Sequence, residues 1–290
     1  MDLEQIKSFL LVANTKSFTR AADSMNVVQS TVTTRIQMLE RELGKELVSR
    51  DRRNISLTPA GRSFLPYAER ILELSREGIK TVQLEQNFID QLVVGSTHAL
   101  WDYLLFDAIV AFQNTNPEIS VRMVTEHSNI IIQKMMDGLI DLGIVFYPVH
   151  HPNLELIPII EDTFELFADP TFQVPPVPLT PEDLRTLPFI HLNWGGSFSD
   201  WHRQIFGNHY IFPLEVDHVS LQLKFLKSKK GVGFLPRSVA NTLIRQGVVV
   251  NIPFQTETPV PRRSIYLVKK KHKGNLVNME KLAQYIKGVF

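Results

Sequence analysis

Residues 17–44, SFTRAADSMNVVQSTVTTRIQMLERELG, decide how the rest of the chain is read. Ser17 is placed to cap a short helix in which Phe18, Ala21, Ala22 and Met25 fall at helical spacing, the alanines being small enough to let another helix approach. The chain turns at Asn26-Val27-Val28, and a further helix starts near Gln29 with Val32, Ile36 and Leu39 on its buried side. That register turns Gln29, Ser30, Thr31, Thr33, Thr34 and Arg35 outward at the amino end of the helix. Amides, hydroxyls and a guanidinium there are groups that bond base edges and phosphates in a major groove.

Working outward, Leu3, Ile6, Phe9, Leu10 and Ala13 form one buried stripe of a first helix, capped by Asp2 and broken at Asn14–Lys16. On the other side Leu47 and Val48 lead into Arg50-Asp51-Arg52-Arg53-Asn54, and Ile55 and Leu57 return. This predicts a wing hairpin whose Arg50, Arg52 and Arg53 meet phosphates or an adjacent minor groove, with a plain solvated turn as the alternative. From Gln29 to Arg62 there are seven bases against four acids, a modest excess that would not by itself indicate DNA. Thr58-Pro59-Ala60-Gly61 then opens a helix to about Gln86, through Phe64, Leu65, Ala68, Ile71, Leu72, Ser75, Ile79 and Val82. Its narrow apolar stripe can be covered by the same helix of a second copy or by the chain's own carboxy-terminal part.

Ser17-Phe18-Thr19-Arg20-Ala21-Ala22, Gln29-Ser30-Thr31-Val32-Thr33, Ile36, Leu39-Glu40, Leu43-Gly44, Leu47, Arg50 and Leu57-Thr58-Pro59-Ala60-Gly61 resemble the amino-terminal signature of LysR-type transcriptional regulators. The resemblance extends over the chain, because the order of elements that follows is similar to the family's effector domain. One departure is Val28, where the family usually has Ser or Thr; Asn26 and Ser30 are both candidates for the missing cap. The resemblance implies a dimerising linker helix, assembly as a dimer of dimers, and an effector domain of two lobes like a periplasmic binding protein. It also implies activation of a target promoter, often with repression of the regulator's own gene.

From Gln91 onward strands and helices alternate, which predicts a parallel-rich α/β region. Leu92–Gly95, Ile119–Glu126 and Asp141–Phe146 read as strands of one lobe, with helices at His98–Gln113 and Ile130–Met136 between them. Seven prolines between Pro152 and Pro181 mark a crossover before a second set of elements. That set has strands at Phe189–Asn193, Leu214–His218, Gly231–Pro236 and Val248–Pro253, and Ser264–Val268 with the last helix returns to the first lobe. The expected organisation is a winged helix-turn-helix at 1–58, a linker helix at 59–88, lobe 1 at 91–165 and 266–290, and lobe 2 at 166–265. The fold class is therefore α/β with an N-terminal all-α winged helix-turn-helix and a two-lobed, periplasmic-binding-protein-like effector domain.

Two strand-to-helix turns indicate a cleft, Gly95-Ser96-Thr97-His98 in one lobe and Asn193-Trp194-Gly195-Gly196-Ser197 in the other. Open backbone N–H groups and small hydroxyls make such turns suited to anions. Ser96, Thr97 and Ser197 are the candidate donors to a small anionic co-inducer, His98 and Asn193 supplementary contacts, and Phe146 or Trp194 an apolar wall. The same hydroxyls would serve equally as helix caps, and the family resemblance favours a ligand role at Ser96 and Thr97.

Several chemistries are excluded. There are no cysteines, so disulfides and thiolate metal sites are absent and a reducing compartment fits. His150-His151 precedes a proline and has no metal-ligand partner at helical spacing, so no metal is expected. Asp200-Trp201-His202 and Asp217-His218 lack a nucleophile elbow, and Gly231-Val232-Gly233 is a strand entry rather than a nucleotide loop, so no catalytic residue or cofactor is assigned. Lys269–Lys273 reads as a solvated strand end. The amino end has no signal-peptide pattern and no apolar run reaches a membrane span, which predicts a cytoplasmic protein without a membrane partner. The expected function is sequence-specific regulation of transcription, with double-stranded promoter DNA, a second copy of the chain and RNA polymerase as partners. Activation is the expected sign. The alternatives are a repressor of the same family, or a small-molecule-binding protein whose DNA binding is architectural and non-specific.

Overall fold

The computed structural model describes residues 1–51, 54–84, 88–146, 151–271 and 276–288. These fall into two compact units, Met1–Asn87 and Phe88–Phe290. The first contains α1 (Leu3–Thr15), α2 (Phe18–Ser24), α3 (Gln29–Leu43), β1 (Val48–Asp51), β2 (Asn54–Leu57) and α4 (Pro59–Leu84). A reciprocal cap starts α1: Gln5 N–H donates to Asp2 Oδ1 at 2.8 Å and Asp2 N–H to Gln5 Oε1 at 3.2 Å. Ser17 Oγ accepts from Arg20 N–H at 3.2 Å at the start of α2. The turn into α3 passes through Asn26 in the left-handed region, φ 52°, a conformation that asparagine tolerates better than most residues.

At Val28 the backbone is extended, as an N-cap requires, yet no side chain caps α3 there. Neither of the two candidate substitutes provides the missing bond. Val28→Ser is therefore expected to stabilise the first unit by about 1 kcal/mol, read as a higher midpoint of its thermal transition; an unchanged midpoint would mean that the uncapped end costs nothing.

One core joins the unit. Ile6, Phe9 and Val12 of α1, Ala21 and Ala22 of α2, and Val32, Ile36 and Leu39 of α3 pack with Leu47 and Val48 of the hairpin and Ala68 and Leu72 of α4. Glu40 Oε1 accepts from the N–H groups of Leu47 and Val48 at 2.8 and 3.1 Å, tying the hairpin to α3. β1 and β2 pair antiparallel from Val48↔Leu57 to Asp51↔Asn54. Thr58 caps α4, its Oγ1 accepting from Gly61 N–H at 2.9 Å. Gly61 lies so close to the hairpin that a Cβ built on it would stand 2.0 Å from the Leu47 carbonyl oxygen.

The second unit runs β3 (Asp90–Ser96), α5 (His98–Leu100), a π-helical turn (Trp101–Leu105), α6 (Phe106–Thr115), β4 (Ile119–Thr125), α7 (Ser128–Asp137), β5 (Leu142–Val145) and β6 (Leu154–Ala168). It continues through α8 (Pro181–Thr186), β7 (Ile190–Leu192), α9 (Gly196–Phe206), β8 (Leu214–Val216), α10 (Val219–Lys227), β9 (Val232–Pro236), α11 (Arg237–Arg245), β10 (Val250–Ile252), β11 (Arg262–Lys270) and α12 (Leu276–Lys287).

In lobe 1, β3 pairs parallel with β4 and β5, while β11 pairs antiparallel with β5 and β6. In lobe 2, β9 and β10 pair antiparallel with the far half of β6, and β7 pairs parallel with β8. Parallel pairing thus describes the βαβ parts, whereas the strands that cross between the lobes are antiparallel. β6 is continuous across both lobes. Its register with β11 shifts between Ile265 and Tyr266, which oppose Ile160 and Pro158 and leave Ile159 as an extra residue. A bulge beside a proline, which has no N–H to donate, loosens the ladder where the chain passes from lobe to lobe. α12 returns Met279, Leu282 and Ile286 to the lobe 1 core. Among the described residues no helix is long and apolar enough to cross a membrane.

Candidate functional site

In the first unit α3 leaves Gln29, Ser30 and Thr34 exposed and Thr31 and Thr33 partly so. Gln29 Oε1 accepts from Thr19 Oγ1 of α2 at 3.4 Å, a long bond that steers the amide. Arg35 also has a neighbour on α1. It follows Val32 by three residues and precedes Leu39 by four, so it flanks the buried stripe, and its Nη1 lies 3.2 Å from Glu4 Oε2 of α1. The guanidinium thus faces α1 across an ion pair, with an intermediate exposure like that of Thr31 and Thr33. Arg50 occupies β1 opposite Ile55, while Arg52 and Arg53 lie outside the described residues. Sequence reasoning overlooked Glu40 as the clamp on the hairpin, although its position beside Leu39 in a helix ending at Gly44 was in view.

In the second unit the turn after β3 separates two hydroxyls that look alike in sequence. Ser96 is fully buried and its Oγ donates to the Ile144 carbonyl at 3.0 Å, so its proton serves strand pairing. Thr97 Oγ1 is buried with no hydrogen-bond partner, and although Thr97 sits at the N-cap position of α5 its side chain makes no capping bond. A buried hydroxyl left unpaired is costly unless something else fills it. His98 is exposed and meets His218 edge-to-face, ring centres 4.9 Å apart. His218 belongs to lobe 2, where its Nδ1 accepts from Ser220 N–H at 3.2 Å and caps α10. Ala99 and Tyr103 also pack on the lobe 2 core. The segment at the π-helical turn is thus where the lobes meet, and such turns often mark functional positions.

On the lobe 2 side Asn193 Oδ1 accepts from Gly195 N–H at 2.9 Å and from Ser199 Oγ, which leaves only its amide nitrogen for a ligand. Ser197 is exposed in the first turn of α9. Trp194 is fixed by its indole N–H, which donates to the Phe234 carbonyl at 2.9 Å. Phe146 and Trp194, expected as alternative walls, both contact one side chain that sequence reasoning missed, Arg263. Its guanidinium carbon lies 3.6 Å from the Phe146 ring centre, 5.0 Å from Phe164 and 5.3 Å from Trp194. Burial lowers the Arg263 pKa to about 9, opposed by the charge of Asp162, so the group stays protonated at neutral pH. Its inward direction could have been read from alternation with Ile265, had the strand been started at Arg262 rather than Ser264.

Deeper in lobe 2, His191 stacks on His202 at 4.2 Å and on Phe212 at 4.2 Å. Burial lowers the His191 pKa to about 4 and that of His202, which also feels His191, to about 3. Among the described residues no cluster of three metal-ligating side chains exists. His151 lies in a loop before β6, and His150 lies outside the described residues, as do His272 and Lys273 of the basic run.

Residues 3–62 match the family model described as bacterial regulatory helix-turn-helix protein, lysR family, and residues 86–290 match the LysR substrate binding domain. The HTH-type transcriptional regulator HdfR of Yersinia pestis (strain Pestoides F) is 29% identical over 239 residues, covering 81% of each chain. HdfR of Yersinia pseudotuberculosis serotype O:1b (strain IP 31758) matches at the same identity and coverage. Among solved structures, CbnR, a LysR family transcriptional regulator, superimposes with a TM-score of 0.71 at 24% identity over 100% of this chain and 99% of that one. Full-length CbnR in complex with its target DNA gives 0.72 at 24% identity over 100% of both. At that identity the likeness shows the fold.

Proposed function

The chain belongs to the LysR family of transcriptional regulators, and from that premise we propose that it is an activator that reads a dyad operator with Gln29, Ser30, Thr31, Thr33 and Thr34 of α3. The observation that carries this reading is the row of small polar groups left exposed at an uncapped helix start. Free N–H groups there suit a DNA phosphate, and the adjacent hydroxyls and amide suit base edges. The solved relative CbnR is described in complex with its target DNA, which supports the same use of this unit.

Assembly follows from α4. Ala68 and Leu72 belong to the core of the first unit, but Tyr67, Leu74, Ile79 and Val82 are exposed on the same helix. A second copy that covered this stripe would bring two α3 helices to successive half-sites, and a dimer of dimers would span an operator pair. The effector domain belongs to the family's substrate-binding fold. Its ligand is a small anion held in the cleft with Thr97, His98, Phe146, Trp194 and Ser197, and Ser96 and Asn193 shape the two turns. A ligand that favours one arrangement of the lobes changes tetramer shape and DNA bend, and RNA polymerase recruitment with it. The site of action is the cytoplasm, where the promoter is.

Gel shifts on the promoter upstream of its own gene against random DNA test the reading. Thr33→Val with Thr34→Ala should cost about 1–3 kcal/mol on the promoter and little on random DNA. Arg35→Ala should weaken both alike by loosening α1 against α3, and Arg50→Ala should lower the salt slope by about 1. Equal loss on both DNAs from the threonine pair would show that α3 does not read sequence.

A further inference from the structure

We propose that Arg263 is the effector's charge receptor, and that the effector is a carboxylate carried on a flat apolar body. This rests on the reading of the cleft as the effector site and names the chemistry it selects. Arg263 stands on β11, directly opposite Asp162 of β6, at the lobe 2 end of the crossing strands. Asp162 supplies an opposite charge nearby but no hydrogen bond to Arg263 among the described residues. Both carboxylate oxygens are engaged by Ser238, through its N–H at 3.0 Å and through its hydroxyl. Arg263 Nη1 makes one long bond, to the Trp194 carbonyl at 3.4 Å, and its Nε is buried with no partner.

Elsewhere its surroundings are aromatic: Phe146 from lobe 1, and Phe164 and Trp194 from lobe 2. A cation among rings gains cation–π attraction, but its buried Nε remains open in the guanidinium plane, and a buried donor left unpaired is costly. The planar fork of a guanidinium matches two coplanar oxygens, and a carboxylate supplies them in one group.

Strand register brings the second open donor to the same edge. β3 and β5 run parallel with Gly95 opposite Gly143, and the Ser96 hydroxyl reaches the Ile144 carbonyl, so Thr97 and Phe146, each just past the end of its strand, follow at the same edge. Thr97 Oγ1 is the unpaired hydroxyl of that turn. A carboxylate on Arg263 with its apolar body against Phe146 and Trp194 would extend toward Thr97, satisfying a guanidinium donor and a hydroxyl that the protein leaves open. The edge formed by the carboxyl ends of parallel strands is where α/β sheets bind ligands.

The test uses the full chain with sodium benzoate as probe, benzamide as its neutral counterpart, and acetate as the carboxylate without a ring, followed by titration calorimetry and thermal shift. Wild type should bind benzoate more tightly than benzamide or acetate. Arg263→Gln should lose roughly 10- to 100-fold in benzoate affinity, the range for a charged hydrogen-bonded pair, with benzamide unchanged. Arg263→Lys, which keeps the charge in case the neutral variant folds poorly, should fall between the two. Benzoate binding that survives Arg263→Gln but is lost in Thr97→Val would overturn the role of Arg263 and leave the cleft reading intact. Benzamide binding as tightly as benzoate would overturn the carboxylate class, and acetate binding as tightly would overturn the apolar body. Absence of benzoate binding to wild type would overturn the proposal, while the promoter gel shifts judge the regulator reading on their own.

Discussion

Taking the protein from pH 7 to pH 5 is expected to cost the effector unit about 3 kcal/mol, carried by His191 and His202. Both are bases whose folded pKa values, about 4 and about 3, lie below the ordinary imidazole value. The fold therefore favours neutral rings. The contribution is intact above about pH 6.5, the imidazole value of the unfolded chain, and is lost as pH falls below it toward the folded values. The structure explains the preference. His191 and His202 are buried, stacked on each other and ringed by Phe189, Phe198, Phe206 and Phe212, and His202 Nε2 has no partner. A second positive charge would face the first across 4.2 Å. His202→Phe keeps the ring stack and removes one titration, so about half of the acid loss should disappear. Denaturant midpoints of the effector unit at pH 7 and pH 5 check this, a window above the ordinary carboxylate values. Equal losses in variant and wild type would mean that these rings do not set the acid limb.

Gly61→Ala should be the most damaging single methyl group in the DNA-binding unit, at about 4 kcal/mol or more. The new Cβ would stand 2.0 Å from the Leu47 carbonyl oxygen, a backbone atom without a rotamer to change. That carbonyl also accepts from Thr58 N–H at 3.0 Å, and Gly61 N–H donates to Thr58 Oγ1, so neither side can retreat without breaking the start of α4. The strain would fall on the junction that joins hairpin, α3 and linker helix. Thermal denaturation should show the first unit melting early with the effector unit unmoved, and promoter binding should fall with it. A substitution that shifted both transitions equally, or neither, would contradict this account of the glycine.

The first unit was legible because its signals are local. Caps, helical spacing and the turn at Asn26 act within a few residues, and Asp2, Ser17, Thr58 and the buried Val32, Ile36 and Leu39 all appear as their types suggest. The ion pair of Arg35 with Glu4 was not legible, because the two residues lie 31 positions apart in sequence. The two strand-to-helix turns were legible, but not which of their hydroxyls stay unpaired. Ser96 and Thr97 are neighbours of similar chemistry, and only the pairing of β3 with β5 occupies one hydroxyl and leaves the other open. Arg263 was hidden for a similar reason, since Phe146, Phe164 and Trp194 come from three separate stretches of chain.

The return of β11 and α12 to lobe 1 bears on the order in which a growing chain can fold. Lobe 2 draws its core from Phe164 to Val260, apart from contacts made by Ala99 and Tyr103, and so is nearly complete before β11 is synthesised. Lobe 1 has β3, β4 and β5 early, yet its core lacks Ile265, Leu267, Met279, Leu282 and Ile286 until β11 and α12 emerge. During translation the amino-terminal reader and lobe 2 can settle while the sheet of lobe 1 waits with an unpaired β5 edge. Such an edge is open to pairing with neighbouring chains. A chain truncated before β11 would therefore hold its DNA-binding unit but be unable to close the lobe that carries Thr97.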